Sequence, residues 1–141
     1  MKTAIATYHI LKGDATVLAA ATGGIYPQLA KEGTSTPYIT IQDDGMDVSH
    51  TKTGGSTIDF GNVVVQINST DQSEIATLAD NVRAAMDGYS GAVSTGSETI
   101  NITRCWQVGQ SAFSEEETNR DMYIIEMEFR LRERRTADYE N

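Results

Sequence analysis

Cysteine, histidine and positive charge are all scarce in this chain, and each scarcity removes a class of explanation. One cysteine, Cys105, excludes an intramolecular disulfide and any multi-cysteine metal site. Two histidines, His9 and His50, leave little for zinc ligation or acid–base chemistry. No apolar run approaches the ~20 residues that span a bilayer. Residues 1–25 do not form a secretory signal, because Asp14 precedes the apolar Ala15–Ala21 segment and no basic region leads into it. The chain is therefore expected to be soluble, made in a cytoplasm and without a membrane partner. Lysine and arginine number 11 against 20 aspartates and glutamates, a net charge of −9. That sign opposes tight binding to the outside of a nucleic acid.

What is present suits one ordinary domain. At 141 residues the chain can bury roughly two-thirds of its unfolded surface without metal or disulfide staples. The expected division is one α+β domain over 1–135 and a flexible tail over 136–141.

Residues Thr3–Ala21 favour helix, with Ile5, Tyr8 and Leu11 as its apolar stripe and a break at Gly13, after which Asp14 can cap a second short helix through Val17, Leu18 and Ala21. Gly23-Gly24 ends it. Ile25-Tyr26-Pro27 is extended, since the residue before proline is pushed towards β geometry. Pro37–Gln42 alternates as a half-buried strand. Asp43–Ser56 is polar with Gly45, Gly54 and Gly55, and reads as a loop too long for a tight turn.

Ser56–Ser69 is the next strand. Ile58 and Phe60 lie on one phase and Val63, Val65 and Ile67 on the other, so a β-bulge is expected at Gly61-Asn62. Asp71-x-x-Glu74 has capping-box spacing, and Ile75, Leu78, Ala79, Val82 and Met86 behind it form a helical stripe closed by Gly88. Gly91–Ser97 reads as a small-residue loop. In Glu98–Val108, Ile100, Ile102, Trp106 and Val108 share a parity that Arg104 breaks. Gly109–Thr118 reads as a second polar loop, holding Glu115-Glu116-Glu117. In the last strand Tyr123, Ile125, Met127, Phe129 and Leu131 face one way and Glu126, Glu128, Arg130 and Arg132 the other. This order predicts an α+β fold: a mainly antiparallel four-stranded sheet with helices packed on one face.

No constellation rises to a catalytic, cofactor or metal site, and the chain is not read as an enzyme. There is no phosphate-binding glycine loop and no nucleophile elbow. Cys105 lies mid-strand as a structural thiol. Asp43, Asp44 and Asp47 lack the spacing of a calcium loop, and Glu115–Glu117 reads as a solvated charge run. His50 sits in a Ser/Thr/Gly-rich stretch that favours exposure. An acidic domain with long polar stretches and a two-faced terminal strand looks like an assembly component.

Gly24-Ile25-Tyr26-Pro27, followed by Pro37-Tyr38-Ile39, resembles the tail completion (tail terminator) proteins of long-tailed, siphovirus-type bacteriophages and prophages. The resemblance continues through Val65-Gln66-Ile67, the Ala76–Gly88 helix and the alternating Tyr123–Leu131 strand, covering about residues 3–133. It implies a structural virion protein, assembled as a homo-oligomeric and typically hexameric ring at the head-proximal end of the tail. Such a ring stops polymerisation of the tail tube protein and docks on the head–tail connector, while DNA passes through without specific binding. No cofactor and no catalytic residue come with the family. Tyr26, Pro27, Pro37 and Tyr38 match its motif and read as fold-shaping. Asp43, Asp44, Asp47, His50, Glu115, Glu116 and Glu117 are the expected assembly-interface residues, and alanine at the three aspartates is expected to leave the monomer folded. The alternatives are a head-closure or connector ring of the same neck, and a small non-viral ligand-binding module.

Overall fold

A computed structural model of the protein describes residues 2–30, 33–51, 54–117 and 120–134. Two short helices open it, α1 (Thr3–Lys12) and α2 (Ala15–Ala20). Strands β1 (Ile25–Pro27), β2 (Tyr38–Thr51) and β3 (Gly54–Ser69) follow, then helix α3 (Gln72–Met86) and strands β4 (Gly91–Ser94), β5 (Thr99–Glu117) and β6 (Arg120–Arg134). The expected tail over 136–141 lies outside the described residues. No helix among those described is long and apolar enough to cross a membrane.

The strands form one six-stranded sheet in the order β1-β2-β3-β6-β5-β4. The fold is α+β and mainly antiparallel, but the four-stranded expectation undercounts it. Each outer position carries a short extra strand: β1 runs parallel to Ile39–Ile41, and β4 runs antiparallel to Thr99–Ile102. Three or four residues are too few to show a period, and β4 falls in the stretch expected as loop.

All three helices contribute to one core against one face of the sheet. Ile39 and Ile41 of β2, Val63, Val65 and Ile67 of β3, Met127, Phe129 and Leu131 of β6 and Cys105 of β5 meet Leu11, Val17, Leu78, Val82 and Met86. Helix α3 buries the stripe its sequence displays. Asp71 caps it by accepting from the Ser73 and Glu74 amides at 2.9 and 3.3 Å. Glu74 does not reach back to the cap directly: the Asp71 amide donates to Ser69 Oγ at 3.0 Å, and Ser69 Oγ donates to Glu74 at 3.1 Å. Helix α1 breaks at Gly13 and Asp14 caps α2, accepting from Thr16 and Val17, as expected. Its buried face is different. Thr3, Ala4, Ala6, Thr7, Ile10 and Leu11 face the core, while Ile5 is exposed. Small residues are selected there because the helix lies close to the sheet: a Cβ at Gly61 would overlap the Thr3 side chain.

That close approach also revises the β3 expectation. Strand β3 pairs with β6 without interruption from Ile58↔Arg134 to Ser69↔Tyr123. Asp59, Gly61, Val63, Val65 and Ile67 share the core phase, and Ile58 and Phe60 belong to the other face. The bulge lies in the partner strand, between Asp43 and Met46, where Gly45 takes a φ of 102°. In β5, two register shifts, between Ile102 and Arg104 and between Gln107 and Gly109, replace the simple alternation. Cys105 therefore faces the core and Trp106 the opposite face, with Arg104 stacked over its ring at 4.5 Å.

A second, smaller cluster sits on the far side of the sheet. Tyr38, Met122 and Ile124 are buried there under Tyr26 and Ala30.

Candidate assembly surface

The two stretches expected as loops are strand. Residues Asp43–Thr51 continue β2, and Gly109–Glu117 continue β5. Each is mostly polar and glycine in sequence, with Met46 and Val48 in one and Ala112 and Phe113 in the other, too few apolar residues to announce a strand. The backbone ladder of a long hairpin holds it instead. The β2–β3 hairpin reaches its Thr51↔Gly54 rung beyond Arg134, the last described β6 partner. The β5–β6 hairpin reaches Glu117↔Arg120, beyond the end of β3 at Ser69. The two arms thus extend from opposite ends of the sheet.

Both arms also leave a strand edge uncovered among the described residues. Among the described residues no strand pairs with β2 from Gln42 onward on the side away from β3, since β1 stops at Ile41. On the opposite side of the sheet, β4 stops at Ile102 of β5. The end of α3 ties down the next few residues, through Gly88 N–H to Cys105 O at 2.8 Å and Gln107 N–H to Asp87 at 3.2 Å. No described strand covers β5 from Val108 to Glu117 on that side.

The expected interface residues fall on these two edges. Asp43, Asp44, Asp47 and His50 lie along β2, and Glu115, Glu116 and Glu117 along the last turn-ward part of β5. Asp44, Glu115 and Glu116 are exposed. Asp43 also braces the N-terminus of α1. Its carboxylate accepts the Ala4 amide at 2.8 Å, and Lys2 supplies no side-chain cap to that helix. Alanine at Asp43 would remove that hydrogen bond as well as any contact with a partner. Of the motif residues, Tyr26 and Tyr38 meet edge to face at 6.3 Å, and the Tyr26 hydroxyl donates to Gly23 O at 2.6 Å. Pro27 ends β1, and the Pro37 carbonyl accepts the Gly23 amide at 2.8 Å.

The outer sheet face, away from the helices, divides by charge along the strands. Towards the β5–β6 arm it carries a polar ladder, Thr40 to Gln66 at 3.4 Å and Gln66 to Glu126 at 3.1 Å. An open groove of about 280 Å³ beside it is lined by Leu29, Gln66, Glu115 and Glu126. Towards the other end lie Arg104, Arg130, Arg132 and Arg134. Arg130 stacks on Phe60 at 4.7 Å and donates to Asn62 at 3.1 Å. Sequence reading did not find this cluster, because Arg104 joins the others only through the β5–β6 register.

Among the described residues no three His, Cys, Asp or Glu side chains are grouped to hold a metal ion. The Cys105 thiol is pushed up to about 12, mainly by burial and secondarily by the Asp87 charge. It is therefore a packed group and not a nucleophile. An open groove of about 410 Å³ between the start of α3 and the β5–β6 hairpin is lined mostly by Ile75, Ala76, Ala112, Tyr123 and Ile125.

The family model for "Tail completion protein gp17" matches residues 6–134. The chain belongs to the tail completion protein gp17 family. Its fold is shared with a chain of the solved "Virion of native gene transfer agent (GTA) particle", at a TM-score of 0.67 and 20% identity over 91% of each chain. No curated protein matches. Membership assigns this tail completion protein a structural role in a phage tail and a location in the virion. Its polar arms and charged outer face are accordingly the surfaces on which an assembly role can rest.

Proposed function

We propose that this tail completion protein forms a ring, typically of six copies, at the head-proximal end of the tail. There it ends polymerisation of the tail tube protein and joins the tail to the head connector. The observation that carries the ring is the pair of uncovered edges. A closed ring needs a head-to-tail contact between two unlike surfaces on one chain. The sheet offers two such surfaces on opposite sides, Gln42–Thr51 and Val108–Glu117. Long uncovered edges are a hazard that monomeric proteins suppress, and closing a sheet upon itself removes them. The acidic balance suits a passage for DNA, since carboxylates do not grip phosphate.

The test is electron microscopy of a lysate from a phage or prophage lacking this gene. Filled heads beside unattached tails of abnormal length are the expected result. Leaking heads beside tails of normal length would move the protein to head closure, and intact infectious particles would overturn the reading.

A further inference from the structure

We infer that the arginine half of the outer sheet face receives the acidic β5–β6 arm of a second copy of this chain. The inference rests on the ring reading and names the surfaces that meet. The chain carries a net charge of −9, yet Arg104, Arg130, Arg132 and Arg134 gather on one end of one face. The guanidinium groups of Arg104 and Arg130 lie over the rings of Trp106 and Phe60. Planar cations held against aromatic faces suit carboxylates, because guanidinium offers paired donors in a fixed fork.

The same chain presents the complement at the far end of the same sheet. Glu115, Glu116 and Asp121 are exposed on the arm, beyond the end of β3. Asp121 and Arg132 are eleven residues apart on β6, so roughly 35 Å separates the two ends at ~3.3 Å per residue. An arm cannot reach the arginines of its own copy over that distance along a straight strand. It can reach those of a neighbour.

Charge also decides how the arm must lie. Flush antiparallel pairing of the whole of both free edges would set Glu115 and Glu116 beside Asp43 and Asp44 of the next copy. Like charges directly opposite one another on paired strands repel. An arm that leaves the sheet plane and crosses the neighbour's outer face exchanges that repulsion for the arginines. Exposed Phe113 on the arm, and Phe60 and Trp106 on the patch, supply apolar area to the same contact.

The experiment uses the full chain and two charge-reversed variants, E115K/E116K on the arm and R104E/R134E on the patch. All four positions are exposed, and unchanged circular dichroism and melting establish that the variants fold. Self-association is read by sedimentation velocity over a concentration series at low and high salt. Each variant alone is expected to associate at least ~10-fold more weakly than wild type, as charge pairs at interfaces do. An equimolar mixture of the two is expected to recover association, because every contact then joins a reversed arm to a reversed patch or a natural arm to a natural patch. High salt should weaken the wild-type assembly. Variants that associate like wild type would overturn this inference while leaving the ring intact. A wild-type chain that stays monomeric throughout would overturn the ring reading with it. A mixture that fails to recover, together with loss of duplex-DNA retention by the patch variant, would assign the arginines to nucleic acid instead.

Discussion

The two faces of this sheet are built on different physics. The helix-covered face is held by area: Phe129, Leu131, Met127, Val65 and Ile67 lose all contact with water, and no single polar pair organises them. Beyond the small cluster of Tyr38, Met122 and Ile124, the outer face is held by pairs such as Gln66 with Glu126, Arg130 with Phe60 and Arg104 with Trp106. Area burial stabilises by several kcal/mol per large side chain, whereas half-exposed polar and cation–π pairs contribute about 1 kcal/mol or less each. The contrast says which face can be given up to a partner. Exchanging weak pairs for contacts with another chain costs the monomer little.

The contrast can be broken most severely at Cys105. Its thiol is pushed up to about 12, from 9.0, so the folded protein should react with iodoacetamide at pH 8 about a thousandfold more slowly than the unfolded chain, and burial should slow it further. The same shift predicts a pH slope. Above pH ~9 the unfolded chain ionises this thiol and the folded chain does not, so stability should fall as pH rises from about 9 towards 12. Denaturant melts of wild type and Cys105→Ala over that range should differ by this slope. Fast labelling in native buffer would mean that the inner face opens far more readily than its packing implies.

Phe129→Ala should lower stability by about 3–5 kcal/mol, measured by urea unfolding. Gly61→Val should lower it by about 1–3 kcal/mol, because a side chain there meets Thr3 of α1 and the helix must move. Arg130→Ala on the outer face should lower it by about 1 kcal/mol or less. A loss at Arg130 as large as that at Phe129 would erase the distinction between the faces. The smallest effect concerns Asp71, an exposed cap whose pKa is lowered, chiefly by its hydrogen bond with the Ser73 side chain. Its contribution is present above the ordinary carboxylate pKa and is lost as pH falls through the lowered folded value. Asp71→Asn should therefore flatten the acid limb of a melting-temperature profile slightly and leave the profile at neutral pH nearly parallel to that of wild type.

The sequence is legible where burial writes a period into it. Helix α3 buries one side, and strand β6 does so from Met127 to Leu131, so Ile75 to Met86 and the last part of the Tyr123–Leu131 alternation spell out their geometry. Met122 and Ile124, by contrast, are buried on the far face. Helix α1 is harder to read, because its contact with Gly61 selects small residues and leaves Ile5 outside. The arms are illegible for the opposite reason. Asp43–Thr51 offers only Met46 and Val48 as alternating apolar residues and Gly109–Glu117 only the adjacent Ala112 and Phe113, so their hydrogen-bonded rungs to β3 and β6, not a pattern, make them strands. The acidic residues on them attract attention by charge alone. That they occupy two uncovered edges, and that Arg104 joins Arg130, Arg132 and Arg134, depends on registers that include extra residues on one strand.

The opposite reach of the two hairpins gives the molecule a direction. One end finishes in the glycine-bearing Thr51↔Gly54 rung, the other in the Glu117↔Arg120 rung next to Glu115, Glu116 and Asp121. Copies arranged by rotation about a common axis, with the strands inclined to it so that each acidic arm crosses its neighbour's arginines, would keep that direction, so the disc they form would have two chemically different rims. A part with unlike rims can be installed in only one orientation. It can meet a repeating tube on one side and a different structure on the other without any change of shape.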